Sequence, residues 1–242
     1  MGRSNYFLDF FLKEKLITFE STNNDAWDVV EVPKSATKSI PSWYKRLRAV
    51  NLPRKMFNGR LDLTVKACVP FRDAMTAGYI YKTWTDIYIT EVGDEIEWVY
   101  ACQPNPFIVA TRKSIPTPIG CHENEFAWQM YYAPITPKGY SCLIQQPLND
   151  TESPFVTTAG VIDTDTGLFA GTGSIPFFIK KGFTGLIPAG TPILQIIPFK
   201  REIWKSERIK LNEKTNLFRM HKIFSKLIGG YSQKYWVPKK YD

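Results

Sequence analysis

The side chains most able to hold a metal are few and scattered. Cys68, Cys102, Cys121 and Cys142 are widely spaced and form no C-x-x-C pair. Only Cys121 and His122 adjoin, and two successive side chains rarely converge on one ion. The pattern is read as reduced thiols, with no metal and no cofactor. The richer chemistry lies at the C-terminus. Residues 201–242 carry eleven Lys or Arg against four Asp or Glu, whereas residues 1–200 carry 20 against 19. The net charge of +8 is therefore a property of the tail. There Trp204, Lys205, Arg208, Lys210, Arg219, Lys222, Phe224, Lys226, Tyr235, Trp236, Lys239 and Lys240 interleave cations with aromatic rings. Cations meet carboxylates or phosphates, and rings pack on apolar surface or stack on bases. These residues are expected to form an interaction surface for nucleic acid, single strands above all, for an acidic protein face or for an anionic surface. No zinc-finger, helix-turn-helix or RNP signature points to sequence-specific readout.

The elements that must carry this tail are predominantly strands. From Leu61 the apolar period is two: Leu61, Leu63 and Val65 alternate with polar neighbours. Ile87 and Ile89, then Ile96, Trp98 and Tyr100, flank Val92-Gly93-Asp94 and predict a β-hairpin with one wet face. Further strands are expected at 141–145, 176–180 and 193–199, separated throughout by Pro and Gly. No helical period intervenes, which argues against βαβ units and for a mostly β barrel or jelly roll. Residues 1–60 read as an irregular segment. Within it a short helix is expected over 10–17 and another after Pro41, with Ser42 as a candidate N-cap. In the tail, Leu217, Met220, Phe224, Leu227 and Ile228 recur at helical spacing until Gly229-Gly230. The expected division is an N-terminal segment 1–60, a β core 61–201 and a basic, partly helical tail 202–242. No apolar run reaches 18 residues, so no membrane span is expected, and Tyr6 breaks the myristoylation pattern after Gly2.

Two segments are more specific than composition. They are Ala159-Gly160-Val161-Ile162-Asp163-Thr164-Asp165 and Ile187-Pro188-Ala189-Gly190-Thr191-Pro192-Ile193-Leu194-Gln195-Ile196-Ile197. Preceded by Thr76-Ala77-Gly78-Tyr79 and Pro137-Lys138-Gly139-Tyr140, they resemble the dUTPase and dCTP deaminase superfamily over roughly residues 70–200. That resemblance implies a β-clip jelly roll and a homo-oligomer, in this superfamily a trimer. It also implies an aspartate that orients or deprotonates water for attack on a nucleotide, which here is Asp163. Tyr79 and Arg72 are then the nearest candidates for base and phosphate contacts. The departures weigh against turnover. Residues 143–149 lack the Arg-Ser pair that grips phosphate, Thr166 stands where an aromatic stacks, and the glycine-rich arm is replaced by the basic tail. No catalytic residue is therefore assigned. Asp163 and Asp165 are expected to shape a polar turn, and Gln195 to satisfy a neighbouring backbone group.

A second resemblance runs over roughly residues 40–201. It rests on Ile40-Pro41-Ser42-Trp43-Tyr44, on the run from Cys68 to Tyr79 containing Pro70-Phe71-Arg72-Asp73, on Pro137 to Ser141, and on Gln195 to Arg201. This set looks like a protein family common in tailed bacteriophages, and it implies a phage origin. The expected function is a non-enzymatic virion structural or accessory protein of the head, neck or tail, located in the virion and, before assembly, in the host cytoplasm. Its expected partners are other virion proteins and further copies of itself, with nucleic acid reached through the tail. The alternatives are a nucleotide-acting enzyme with Asp163 as base, and a nucleic-acid-binding accessory protein.

Overall fold

A computed structural model describes residues 15–55, 61–110, 114–167, 173–224 and 230–242. The expected helix at 10–17 lies largely outside them. The N-terminal stretch contributes β1 (Thr18–Ser21), β2 (Lys34–Ser35), helix α1 (Ser42–Arg46) and β3 (Val50–Lys55). Then come β4 (Leu61–Leu63), helix α2 (Val69–Thr76), β5 (Tyr79–Lys82), β6 (Ile87–Val92) and β7 (Glu95–Tyr100). They are followed by β8 (Phe107–Val109), β9 (Phe126–Gln129), β10 (Tyr132–Ile135), β11 (Tyr140–Gln145) and β12 (Phe155–Thr157). The body ends with β13 (Gly160–Ile162), β14 (Ser174–Ile179), β15 (Gly185–Ile187) and β16 (Pro192–Lys200), and the tail holds α3 (Glu213–Phe224) and α4 (Gly230–Lys234).

The protein is mostly β, and its strands pair antiparallel in several separate sheets. The largest has the order β13-β11-β16-β5-β2; beside it stand β12-β14-β9-β8, β15-β6-β7, β1-β10 and β3-β4. Among the described residues no sheet closes on itself, so the expected barrel closure is not present. The predicted hairpin is β6–β7, which pairs Ile87 with Tyr100 through to Val92 with Glu95 around Gly93 at φ 63°. Period two puts Ile87, Ile89 and Ile96 into the core and leaves Tyr88, Glu95 and Glu97 outside.

Aromatic rings fill the core. Trp128 stacks on Phe177 at 3.8 Å between centroids, with Phe107, Phe126 and Phe155 edge-on or tilted around them. The one polar atom of that indole, Nε1, donates to Thr157 Oγ1 at 3.1 Å, so burying it leaves no donor unpaired.

The N-terminal stretch is woven into the body. β1 pairs with β10, β2 pairs with β5, and Ala26, Val30, Ala36 and Tyr44 are buried. Helix α1 forms where expected, but Pro41 precedes it as the cap and Ser42 is its first helical residue, with no side-chain cap bond. A proline suits this end of a helix because its fixed φ costs nothing there.

Candidate functional site

Asp163 follows β13 directly, and its neighbours come from two other strands. Ser141 Oγ donates to Asp163 Oδ1 at 2.6 Å, and Arg201 Nη1 reaches the same oxygen at 3.1 Å. Arg201 also donates to the Tyr140 carbonyl and to Ser141 Oγ, both at 3.0 Å, and grips both oxygens of Asp165. The Gly139 amide adds a bond to Asp165 Oδ2 at 2.8 Å. These bonds favour the charged carboxylate, and Arg201 foremost holds Asp165 down at about 2. Thr164, between the two aspartates, is buried and shares a 2.7 Å hydroxyl contact with Thr136.

This arrangement is a clamp. One guanidinium closes β13, β11 and the end of β16 around a polar turn. Both bonds to Asp163 fall on Oδ1, and the side chain is otherwise exposed. Tyr79 and Arg72 do not join Asp163. Tyr79 is buried under Tyr241, with ring centroids 6.2 Å apart, and Arg72 lies 5.2 Å over the Trp236 ring. Arg201 had no place in the sequence-based candidate set. It closes the phage-like segment, but its role depends on the pairing of Tyr140 with Lys200, which no local pattern reveals.

Gln195 satisfies the backbone, as its alternation suggested. It is fully buried; its Oε1 accepts from the Leu148 amide at 2.7 Å, and its Nε2 donates to the carbonyls of Ala74 at 2.9 Å and Ala77 at 2.6 Å. One side chain thus ties β16, the end of α2 and the loop after β11. Gly78 is the other constrained motif residue. It sits at φ 67°, and an added Cβ would fall 2.0 Å from the Ile196 carbonyl oxygen. Gly190 turns the chain at φ 86°, whereas Gly160 lies in β13 without a positive φ.

A groove of about 760 Å³ opens beside Met75, Ile80, Leu148, Phe183, Leu186 and Pro192; Asp163 is not in its wall. Its charged residues include Asp150, whose carboxylate accepts from Glu152 and Ser153, and Lys180, which donates to the Ser153 carbonyl at 2.7 Å. Cys68 and Cys102 are exposed, Cys121 and Cys142 are buried, and all four are free thiols. Burial pushes the Cys121 and Cys142 thiols up. His122 is buried with Nε2 3.1 Å from Glu91 Oε1, misaligned for a hydrogen bond. Among the described residues no cluster of His, Cys, Asp and Glu could hold a metal.

The tail divides into two parts. Its last residues fold back on the body. Trp236 Nε1 donates to Asp73 Oδ2 at 2.6 Å, and Lys239 Nζ donates to the same oxygen at 2.8 Å. Tyr241 packs against the core cluster, and the Tyr79 hydroxyl reaches the Asp242 carbonyl at 3.4 Å. Burial alone would raise the Asp73 carboxyl, but the bonds from Lys239 and Trp236 outweigh it and hold it below the usual range. Trp236 and Lys239 therefore serve an internal clasp. Lys240 and Tyr235 remain exposed near it.

The first part of the tail does the opposite. Residues 202–212 run without helix or strand, and Trp204, Lys205, Arg208, Lys210 and Arg219 are all exposed. So are Ile203, at 97%, and Ile209, Leu211, Leu217 and Phe218. Lys222 and Phe224 belong to α3, but their side chains, like all of Lys226, lie outside the described residues, as do Leu227, Ile228 and Gly229. No helix among the described residues is long and apolar enough to cross a membrane.

In comparison with known proteins, no family model matches the chain, and no curated protein matches it.

Proposed function

We propose that this chain is a non-enzymatic structural or accessory component of a tailed-bacteriophage virion, with the β body as an assembly module and the tail as its connector. The observation that carries this reading is the exposed arm at residues 202–224. It offers Ile203, Trp204, Ile209, Leu211 and Leu217 to solvent beside Lys205, Arg208, Lys210 and Arg219. An arm meant only for solvation has no use for that apolar load, because solvated segments are poor in large apolar residues. A twelve-residue helix such as α3 is also marginal unless packed on something. Asp163 also has a structural part to play, since its Oδ1 joins Ser141 and Arg201 at the turn.

The finer fold in this reading is a β-clip of the dUTPase type. In support, the two segments that carry that resemblance fall on β13 and β16, which flank β11 in one sheet. The deciding experiment is mass spectrometry of purified particles together with a chain lacking residues 203–224. Virion copies of the full chain and none of the shortened one are expected. Absence of the full chain from particles refutes the reading. Hydrolysis or deamination of deoxynucleotides that disappears in Asp163→Asn would replace it with the enzyme. Tight salt-sensitive binding of single-stranded DNA through the arm, without particle incorporation, would replace it with the nucleic-acid accessory.

A further inference from the structure

The outer face of the β15–β6–β7 sheet is an apolar patch set in negative charge. Register aligns Leu186, Tyr88 and Val99 across the three strands. All three point outward, at 52%, 48% and 67% exposure. Glu97, opposite Thr90, and Glu95, opposite Val92, share that face. Between Lys82 and residue 111 the chain has five acidic residues, Asp86, Glu91, Asp94, Glu95 and Glu97, and no Lys or Arg. Asp86 and Glu91 are engaged by the Ala189 and Gly182 amides. The side-chain carboxylates of Asp94 and Glu97 make no hydrogen bond or ion pair among the described residues. A depression of about 480 Å³ lies between Tyr88, Thr90, Glu97 and Val99. At the far side, Leu186 joins this face to the apolar groove, where Lys180 and Lys181 bring the only nearby positive charge among the groove's residues. β7 is the edge of its sheet.

The same chain carries the chemical complement. Residues 203–211 run without helix or strand, and among the described residues their backbone amides donate to nothing. Trp204 is 83% exposed and is followed by Lys205, Arg208 and Lys210. Among the described residues one surface has no cover and has carboxylates around an apolar depression, and one segment has no seat and has cations around an apolar ring.

We propose that the 203–211 arm of one copy docks on the outer β15–β6–β7 face of a second copy, with Trp204 in the depression beside Val99 and with Lys205 and Arg208 against Asp94 and Glu97. The proposal deepens the assembly reading above by naming the partner as another copy of this chain. Tryptophan in a desolvated pocket supplies the bulk of the binding, and the charges steer encounter and fix register. Arm and face are different surfaces, so the contact is heterologous: it generates a ring if the rotation closes and a filament if it does not.

The test uses the full chain in sedimentation velocity over a concentration series at low and high salt. Wild type is expected to associate, more weakly as salt rises. An arm variant, Lys205→Glu with Arg208→Glu, and a face variant, Asp94→Lys with Glu97→Lys, are each expected to weaken association by roughly tenfold or more. Mixing the two restores it, because each then offers the other an opposite charge; so does placing all four changes in one chain. Trp204→Ala weakens association while leaving its salt slope unchanged, and being exposed it cannot act by unfolding the body. A wild-type chain that stays monomeric, swaps without effect, or swaps that do not rescue one another would overturn the proposal. Association with rescue, in a protein absent from particles, would sink the virion reading and leave this contact standing.

Discussion

Gln145 and Gln195 face each other across β11 and β16, and replacing each with leucine should give very different results. Gln195 is fully buried and spends its amide on three backbone groups, the Leu148 amide and the carbonyls of Ala74 and Ala77. Gln195→Leu keeps similar bulk but leaves a donor and two acceptors without that partner in a site closed to water. At about 1–2 kcal/mol per orphaned group, offset by roughly 1 kcal/mol of apolar gain, the loss is about 2–5 kcal/mol. That is a large share of the roughly 5–15 kcal/mol that holds a typical domain. Gln145 Nε2 is also buried but has no partner among the described residues, so Gln145→Leu removes an uncompensated amide. It should change stability by less than about 1 kcal/mol, or raise it. Urea unfolding followed by tryptophan fluorescence reads both variants against wild type. Equal losses at the two sites would refute the reasoning, because burial of the polar group rather than loss of its bonds would then be setting the cost.

Gly78→Ala forces a Cβ to within 2.0 Å of the Ile196 oxygen at φ 67°, and backbone on both sides leaves nothing soft to move. A loss of about 4 kcal/mol or more is expected, visible as a collapsed melting temperature or an insoluble product. Asp165 titrates at about 2 in the folded chain against roughly 3.9 when free. Its contribution is complete above about pH 4 and is lost as pH falls through 2; Asp165→Asn should therefore flatten stability over that window, measured by acid titration of the unfolding midpoint. Asp73→Asn weakens the acceptor shared by Trp236 and Lys239, so exchange of the Trp236 indole N–H should quicken by roughly tenfold while the amides of β16 are unchanged.

Local periodicity carried part of the element list. Alternation around Gly93 predicts the β6–β7 hairpin, and the apolar runs at 141–145, 176–180 and 193–199 each fall on a strand. The helical spacing from Leu217 likewise falls on α3 as far as it is described. These patterns are legible because a strand or helix repeats its burial within a few residues, and Gln195 was legible for the same reason: a polar side chain in an apolar run must find a partner. What depended on distant pairing was not legible. The two-residue β2 and the short β1 exist because β5 and β10 offer them edges, so residues 15–55 join the body although their own pattern is irregular. Trp128 lies at the core centre and Trp27 on the surface, a difference set by which sheets face each other. Arg201 meets Asp163 only because β16 pairs with β11 and β11 with β13. The tail's sequence announced charge and aromatics, but only the tertiary structure separated its two roles. Asp73, presented by α2 some 160 residues upstream, captures Trp236 and Lys239. Among the described residues no such acceptor meets Trp204, which is exposed.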